Sequence, residues 1–209
     1  MIELLLEYKA NINAQDSFNR APLHWSVISA NVDCLKILLK HNPNRNIKDR
    51  DGMTPSMWAC HLDRLDHFKL INKLDTVQNI KNVNLIKAIE SETDNDGRTW
   101  IHWSVRKNEP IECLNFLINT ETSLIRDKDG KTCLHVAAEQ GAIQACKSII
   151  ETAGNRIITE LDNKKQTPLH LATLNGHARA IKILLDFGGN EFYSLIKLSN
   201  FHIELIILF

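Results

Sequence analysis

The chain has 209 residues, of which 44% are hydrophobic and 24% are charged, a balance typical of folded rather than disordered proteins. Its 25 basic and 25 acidic residues cancel, so the chain as a whole does not attract nucleic acid or an anionic membrane. The five cysteines are odd in number and form no Cys-x-x-Cys pair, which argues against a secreted disulfide framework and a zinc knuckle. We therefore expect a cytoplasmic protein with no cofactor, no metal site, and neither nucleic acid nor a membrane as its partner.

The first residues carry an apolar helical pattern followed by a polar loop. They lack the basic leader and the long apolar run of a signal peptide. The pattern at 1–15 predicts the second helix and exit loop of a helix-pair repeat whose first half is missing.

Two short motifs recur along the rest of the chain. Leu-His-Trp-Ser-Val at 23–27 returns as Ile-His-Trp-Ser-Val at 101–105, and Asp-Cys-Leu-Lys-Ile-Leu-Leu at 33–39 returns as Glu-Cys-Leu-Asn-Phe-Leu-Ile at 112–118. The first aspartate of each unit falls at Asp16, Asp49, Asp94, Asp127 and Asp162, which gives spacings of 33, 45, 33 and 35 residues. Self-similarity at a period near 33 predicts a stack of similar supersecondary units.

Several units share the same internal order. An Asp-Gly pair marks a tight turn, because Gly tolerates the positive φ that such turns need. Thr-Pro then marks a helix start, with Thr as the cap and Pro at the first helical position. A second stretch carries apolar residues at helical spacing, such as Leu35 and Leu38. Neither helix can bury its apolar face alone, so neighbouring units must stack.

This pattern resembles the ankyrin-repeat family, and the match extends from residue 2 to about residue 190. The resemblance implies an all-α solenoid of stacked helix-turn-helix units with projecting β-turn fingers. We expect a partial repeat at 1–15, repeats at 16–48, 49–75, 94–126, 127–161 and 162–190, an insertion at 76–93, and a divergent hydrophobic tail at 191–209. The insertion is expected to hold a short helix on Val83, Ile86 and Ile89. The tail is either a makeshift hydrophobic cap or a chain end foreign to the parent fold.

One turn departs from the pattern. Lys165 stands where the last repeat should have its turn glycine. A non-glycine residue at positive φ costs about 1 kcal/mol or more. We expect this turn to be distorted or weak.

The histidines, tryptophans and cysteines are the residues to consider first for metal binding, ligand recognition or catalysis. The histidines His24, His102, His135 and His170 share one repeat position, so they lie on successive units and cannot converge on a metal. The resemblance implies that this histidine hydrogen-bonds the turn backbone. The cysteines are expected to be small core residues, and no catalytic motif is present. The carboxylates of the turns are expected to be solvated. The chain is therefore predicted not to be an enzyme.

Trp25, Trp58 and Trp103 follow the histidine position. The favoured interpretation is that they fill the core between repeats. The other is that they form a cage for a methylated lysine through cation–π attraction, as in some ankyrin domains that this chain resembles.

The resemblance also implies where a partner binds, because in this family the fingers and first helices line the concave side. The predicted protein-binding residues are Phe18, Arg20, Arg50, Met53, Leu62, Arg98, Arg106, Lys107, Lys128, Lys131 and Lys164. This set is more basic than acidic, which favours a partner with an acidic and partly apolar segment. Phe18, Met53 and Leu62 are apolar at positions expected to be exposed, so they are the predicted hot spots. The alternative is that the charges are ordinary solvated finger residues.

The function hypothesis is a non-catalytic interaction module or scaffold, acting as a monomer or as part of a longer chain. The His-Trp variant of the motif is also similar to repeats of inversin-like multi-repeat scaffolds. Two alternatives are a methyl-lysine-reading domain and the recognition fragment of a larger enzyme or channel.

Overall fold

The computed structural model describes residues 1–29, 31–74, 85–105 and 111–188, and within these ranges it contains helices and no β-strand. The α-helices are α1 (Ile2–Glu7), α2 (Pro22–Ile28), α3 (Asp33–Lys40), α4 (Pro55–His61), α5 (Leu65–Asn72), α6 (Leu85–Ser91), α7 (Trp100–Ser104), α8 (Glu112–Leu117), α9 (Cys133–Gln140), α10 (Ile143–Ala153), α11 (Pro168–Leu174) and α12 (Ala178–Gly188). Short 3-10 turns follow α8 at Thr122–Leu124 and α10 at Asn155–Thr159.

The helices form two stacked rows. In the first-helix row, α2 contacts α4, α4 contacts α7, α7 contacts α9 and α9 contacts α11. In the second-helix row, α1 contacts α3, α3 contacts α5, α5 contacts α8 and α10 contacts α12. The predicted all-α solenoid is confirmed. Since each helix packs mainly on its own partner and on the next unit, the stack is stabilised by nearest-neighbour contacts.

The core divides into two clusters of buried side chains. One extends from Leu23 to Leu117 and the other from Ile101 to Leu184. They meet in the unit formed by α7 and α8, where Trp103 belongs to the first cluster and Ile101 to the second. This unit therefore joins the two halves of the stack.

The inserted helix α6 is anchored to the stack by packing and by a carboxylate. Ile89 is fully buried, and Glu92 accepts hydrogen bonds from Thr54 Oγ1 at 2.7 Å and from Trp100 Nε1 at 3.0 Å. The helix includes Ile86 and Ile89 of the three apolar residues predicted for it, and Val83 lies outside the described residues. The tail at 191–209 also lies outside them.

The predicted distortion of the last turn is wrong. Lys165 adopts a φ of 62° and donates its N–H to the Asp162 carbonyl at 3.0 Å, as Gly52 does to Asp49 at 3.0 Å. The turn keeps its shape because the lysine backbone itself takes the left-handed conformation. The strain energy of a positive φ is therefore confined to Lys165, and the geometry of the turn is unchanged.

Candidate functional site: the fingers and first helices

Every finger is built around the first aspartate of its unit. In the second complete unit, Asp49 Oδ1 accepts the backbone N–H groups of Asp51 at 3.0 Å and Met53 at 2.8 Å. The same two bonds recur at Asp16, Asp94, Asp127 and Asp162. Asp94 and Asp127 are buried, so the expectation that these turn carboxylates are solvated is wrong for them. Each carboxylate holds its turn closed.

Backbone hydrogen bonds join the fingers to one another. The donor and acceptor pairs are Arg50 N to Phe18 O at 2.9 Å, Asn95 N to Asp51 O at 3.1 Å, Lys128 N to Asp96 O at 3.0 Å and Asn163 N to Asp129 O at 2.9 Å. The second of these bonds links two fingers that are 45 residues apart because of the insertion. The fingers therefore form one continuous ladder.

Three of the four repeated histidines fasten their first helix to the following finger. Nε2 lies 3.1 Å from the Met53 carbonyl in His24, 3.0 Å from the Lys131 carbonyl in His102 and 3.1 Å from the Gln166 carbonyl in His135. The expected bond to the turn backbone is confirmed for these three histidines. Burial lowers the pKa of all three imidazoles below the usual value. Within the described ranges, no group of three or more His, Cys, Asp or Glu side chains is arranged to hold a metal ion.

The three tryptophans each make the same kind of hydrogen bond, but their side chains differ in exposure. Their Nε1 groups donate to the finger carboxylates: Trp25 to Asp16 at 3.3 Å, Trp58 to Asp49 at 2.8 Å and Trp103 to Asp94 at 2.9 Å. Trp103 is 8% exposed, Trp58 is partly buried and Trp25 is 46% exposed. The core interpretation fits Trp103 and is wrong for Trp25, because no described helix covers the outer side of α2.

Arg20 occupies the aromatic surface of the first finger. Its guanidinium carbon lies 4.6 Å from the ring centre of Phe18 and 4.3 Å from that of Trp25. Its Nε also donates to Asp16 Oδ2 at 2.9 Å. The cation–π position beside these two rings is therefore taken by the chain's own arginine.

Three predicted binding residues come together in one place. Phe18, Arg20 and Arg50 line a cavity of about 330 Å³ between the first two fingers, together with Asp51 and Trp58. Phe18 and Arg50 are exposed. We refer to the surface formed by Phe18, Arg20, Trp25 and Arg50 as the aromatic–arginine cluster.

The other predicted cations are spread along the ladder. Lys128 and Lys164 are exposed on separate fingers, and Lys128 Nζ donates to the Asn95 carbonyl at 2.6 Å. Arg98 lies 3.6 Å from Asp96 and Lys131 lies 2.9 Å from Glu139. These pairs reduce the positive field of the surface. Arg106 and Lys107 lie outside the described residues.

The predicted exposure of Met53 is wrong. Its side chain is 7% exposed and belongs to the core cluster, because it follows the turn and points between two units. Leu62 is partly buried against the same cluster. Of the three predicted apolar hot spots, only Phe18 is exposed, at 50%.

Further exposed apolar residues lie on the first helices, and of these the sequence prediction misses Trp25. Trp25, Ile28 and Leu174 are 46%, 44% and 71% exposed. Trp25 and Ile28 lie on the first helix of the unit whose finger carries Phe18. The signal that could have indicated Trp25 is its place in the first complete unit, where a core position has a neighbour on one side only.

Four of the five cysteines are poor candidates for a catalytic nucleophile. Cys60, Cys113, Cys133 and Cys146 are buried, and burial raises the pKa of Cys133 and Cys146 to about 12. A thiol with such a pKa is protonated at neutral pH and unreactive. Cys34 is exposed, contrary to its predicted core position. As for membranes, the described helices are all too short or too polar to cross a bilayer.

Comparison with known proteins gives the chain its family. A family model described as ankyrin repeats in three copies matches residues 1–82 and 101–194. The chain is 35% identical over 105 residues to human transient receptor potential cation channel subfamily A member 1, covering 50% of this chain and 9% of that protein. It is 36% identical over 80 residues to the protein ACCELERATED CELL DEATH 6 of Arabidopsis thaliana, covering 37% of this chain and 12% of that one. The chain thus spans about a tenth of the length of either relative.

A solved structure shares the fold. It is a chain from the complex of the predatory endopeptidase Bd0816 of Bdellovibrio bacteriovorus with the immunity protein Bd3460, with a TM-score of 0.63, 21% identity, and coverage of 88% of this chain and 89% of that one. The family match, the stacked helix pairs and the ladder of fingers agree, and the chain belongs to the ankyrin-repeat family.

Proposed function

We propose that this chain binds a partner protein through its fingers and first helices and does not itself catalyse a reaction. Ankyrin repeats are protein-interaction modules, and this family is generally non-catalytic. The main reason for proposing this side of the stack as the binding surface is the aromatic–arginine cluster. An exposed phenylalanine and tryptophan hold an arginine between them beside a cavity. Aromatic and arginine side chains are the residues most enriched at binding hot spots.

The partner that fits this surface carries an acidic and partly apolar segment. Arg20 is held in a fixed orientation by Asp16 and two rings, which leaves its remaining N–H groups to bind a carboxylate at little entropic cost. Arg50, Lys128 and Lys164 extend the positive character along the ladder. Asp51 and Asp129 lie among them and weaken the field, so we expect the apolar residues to set affinity and the cations to set the association rate.

The same cluster argues against a methyl-lysine cage. A methylated lysine needs open aromatic faces, and Arg20 already occupies one face of Phe18 and one of Trp25. We propose instead a cytoplasmic scaffold role with no cofactor.

A second candidate is that these repeats serve as the recognition segment of a larger channel protein. The similarity over 105 residues to the human cation channel favours it. Long-read sequencing of transcripts from the same locus tests this candidate. A transcript that joins these repeats to a membrane-spanning region supports it, and transcripts that encode only this chain contradict it.

The binding surface is tested by capture of partners on the folded chain, followed by affinity measurement with the main captured protein. An apolar variant carries Phe18→Ala and Ile28→Ala, and a charge variant carries Arg50→Glu and Lys164→Glu. We expect the apolar variant to lose about tenfold or more in affinity through faster dissociation. The charge variant should mainly associate more slowly and lose its salt dependence.

The matched control changes two exposed lysines of the second helices, Lys36→Glu and Lys147→Glu. It should bind as the unmodified chain does. If this control abolishes binding while both finger-side variants keep it, the partner binds the opposite side of the stack.

A further inference from the structure

Two buried cysteines lie together where the insertion interrupts the repeats. Cys60 belongs to α4 and Cys113 to α8 of the following unit, and both are fully buried in the same core cluster. The two residues are 53 positions apart in the sequence, because the insertion lies between them. A bond between their sulfur atoms would therefore join two units that the chain itself connects through the inserted segment.

Two hydrogen bonds hold the start of α8 against the end of α4. The Cys113 thiol donates to the Ala59 carbonyl at 3.8 Å, and Ala59 is the residue directly before Cys60. The Cys113 N–H donates to Asp63 Oδ1 at 2.8 Å, three residues after Cys60. Cys113 is thus fixed to the backbone on both sides of Cys60. A disulfide needs such a close and fixed approach of two helices.

The two thiols also act directly on each other. Burial raises the pKa of the Cys60 thiol well above its usual range, and the neighbouring Cys113 thiol raises it further through hydrogen bonding and charge. A protonated thiol is a weak nucleophile, so the pair should be inert while the stack is closed. Reaction requires a brief opening of α8 from α4, of the kind by which stacked repeats open locally.

A second pair of buried cysteines provides a comparison. Cys133 and Cys146 lie in α9 and α10 of one unit and are only 13 positions apart. The Cys133 thiol donates to the Ser123 carbonyl at 3.6 Å, and Cys146 acts on it as a nearby charge. In an unfolded chain this pair would bond more readily than Cys60 and Cys113, because closing a longer loop costs more entropy. A preference for the distant pair would therefore come from the fold.

We propose that Cys60 and Cys113 form a reversible disulfide when the protein is exposed to hydrogen peroxide. During an opening, the thiolate of one cysteine attacks the peroxide, the O–O bond breaks, and a sulfenic acid and hydroxide form. On closing, the other thiol attacks the sulfenic sulfur, the S–S bond forms and water leaves. The hydroxide takes up the remaining thiol proton, so two thiols and one peroxide give one disulfide and two waters. A dithiol reverses the bond by exchange.

The bond should fasten the stack across the insertion. It would close a loop that contains α5, α6 and α7, and such a constraint stabilises the folded state. We expect oxidation to raise the Tm by several degrees, and dithiothreitol to return it to the starting value. This modification site lies inside the stack and does not depend on the partner surface proposed above.

The test maps the bond in the full chain. Cys34 is first alkylated with N-ethylmaleimide in the folded state, since it is exposed and the other four cysteines are buried. The chain is then treated with hydrogen peroxide, unfolded, alkylated again and digested with trypsin without reductant. Cleavage after Arg and Lys leaves Cys60 in residues 51–64 and Cys113 in residues 108–126. We expect these two peptides to be joined by a bond that dithiothreitol breaks.

The other two cysteines are an internal control, because trypsin leaves both of them in residues 132–147. In the folded chain this peptide should carry two alkylated cysteines, whereas oxidation in urea should produce a bond within it. The proposal is overturned if Cys60 and Cys113 remain alkylated after peroxide treatment, or if they are converted only to sulfinic acids. A bond within 132–147 that forms to the same extent in the folded chain also overturns it.

Two variants connect the bond to the change in Tm. Cys113→Ala should give neither the joined peptides nor the rise in Tm, and alanine suits this position because Ala145 and Ala180 occupy it, fully buried, in the later units. Cys146→Ala is the matched control, which removes a buried thiol outside the pair and should keep both effects. A rise in Tm that persists in Cys113→Ala would contradict the assignment of the stabilisation to this bond.

Discussion

At the residue scale, three of the five finger aspartates use their two oxygens for two different hydrogen-bonding roles. Oδ1 accepts the N–H groups of its own turn, and in three units Oδ2 accepts the indole N–H nine residues later, as Asp94 does from Trp103. In the last two units Val136 and Leu171 stand at the tryptophan position. Tryptophan at this position therefore ties the first helix to its own finger, while histidine ties it to the next one.

The buried imidazoles should make the stability of the protein depend on pH. Burial lowers the pKa of His24, His67, His102 and His135, so the unfolded chain takes up more protons than the folded chain as pH falls below about 6.5. The buried neutral imidazoles therefore contribute fully to the free energy of unfolding above about pH 6.5, and this contribution is lost as the pH falls below that value. Burial raises the pKa of Glu92, which acts in the opposite direction, but one carboxyl opposes four imidazoles.

We expect the Tm to fall by several degrees between about pH 7.5 and about pH 5.5. Glu92→Gln should steepen this dependence, because it removes the opposing group. A Tm that is constant over this range would show that the imidazoles are not buried as described.

A close approach between fingers should make one glycine far less replaceable than another. Gly52 and Gly176 both have positive φ, at 81° and 71°. A Cβ on Gly52 would lie 2.5 Å from Asn95 Oδ1, whereas one on Gly176 would meet nothing within 4 Å. Gly176→Ala should cost about 1 kcal/mol from strain alone, and Gly52→Ala should cost about 1–3 kcal/mol more because the fingers must separate. Urea unfolding of both variants measures the difference, and equal losses would contradict the contact.

At the element scale, the insertion is bridged by side chains that replace the usual repeat contacts. Asp63 accepts the N–H groups of Glu112 at 3.2 Å and Cys113 at 2.8 Å, so it caps α8 from the preceding unit. Trp100 stands where the repeat pattern has proline, and it packs edge-on against Phe68 at 5.1 Å. The insertion thus leaves the stack continuous.

Trp100 should be essential even though proline matches the family pattern. Trp100→Pro removes a side chain that is 3% exposed and its bond to Glu92, and we expect a loss of about 3 kcal/mol or more in the free energy of unfolding. Cys133→Pro is the matched control, since Cys133 has the same place after Thr132 and a smaller side chain. If both variants lose the same stability, Trp100 does not anchor the insertion.

Local signals in the sequence are sufficient to predict where the helices begin. They are insufficient to predict which side chains are exposed. Thr-Pro correctly predicts the start of α4 and α11, because capping depends on adjacent residues. The exposure of Met53 and Trp25 depends on which helix lies next to them in space. Repeat register places Met53 on the outside and Trp25 in the core, and the structure reverses both.

At the scale of the whole molecule, the stack should be most stable where both neighbours are present. Helix α1 buries no residue completely, whereas α9 has six buried residues and packs on α7, α10 and α11. Since repeats share stability with their neighbours, exchange of backbone amides should be slowest within 94–150 and fast within 2–15. Slowest exchange at residues 2–15 would contradict a stack with a weak α1 end.

The continuous ladder of fingers also determines the shape of the surface that a partner protein can contact. Five fingers joined by backbone bonds present one surface. Three exposed apolar residues, Phe18, Trp25 and Ile28, lie together in its first unit, and Leu174 lies alone in the last. A partner should therefore make its strongest contacts near α2 and extend along the fingers toward Lys164.

Amide exchange of the chain with and without its captured partner tests this account most directly. We expect exchange to slow on binding at residues 16–29 and 49–62, which contain the aromatic–arginine cluster, and to stay unchanged in α10. Protection confined to the second helices, with the fingers of the first two units unaffected, would contradict the proposed binding surface.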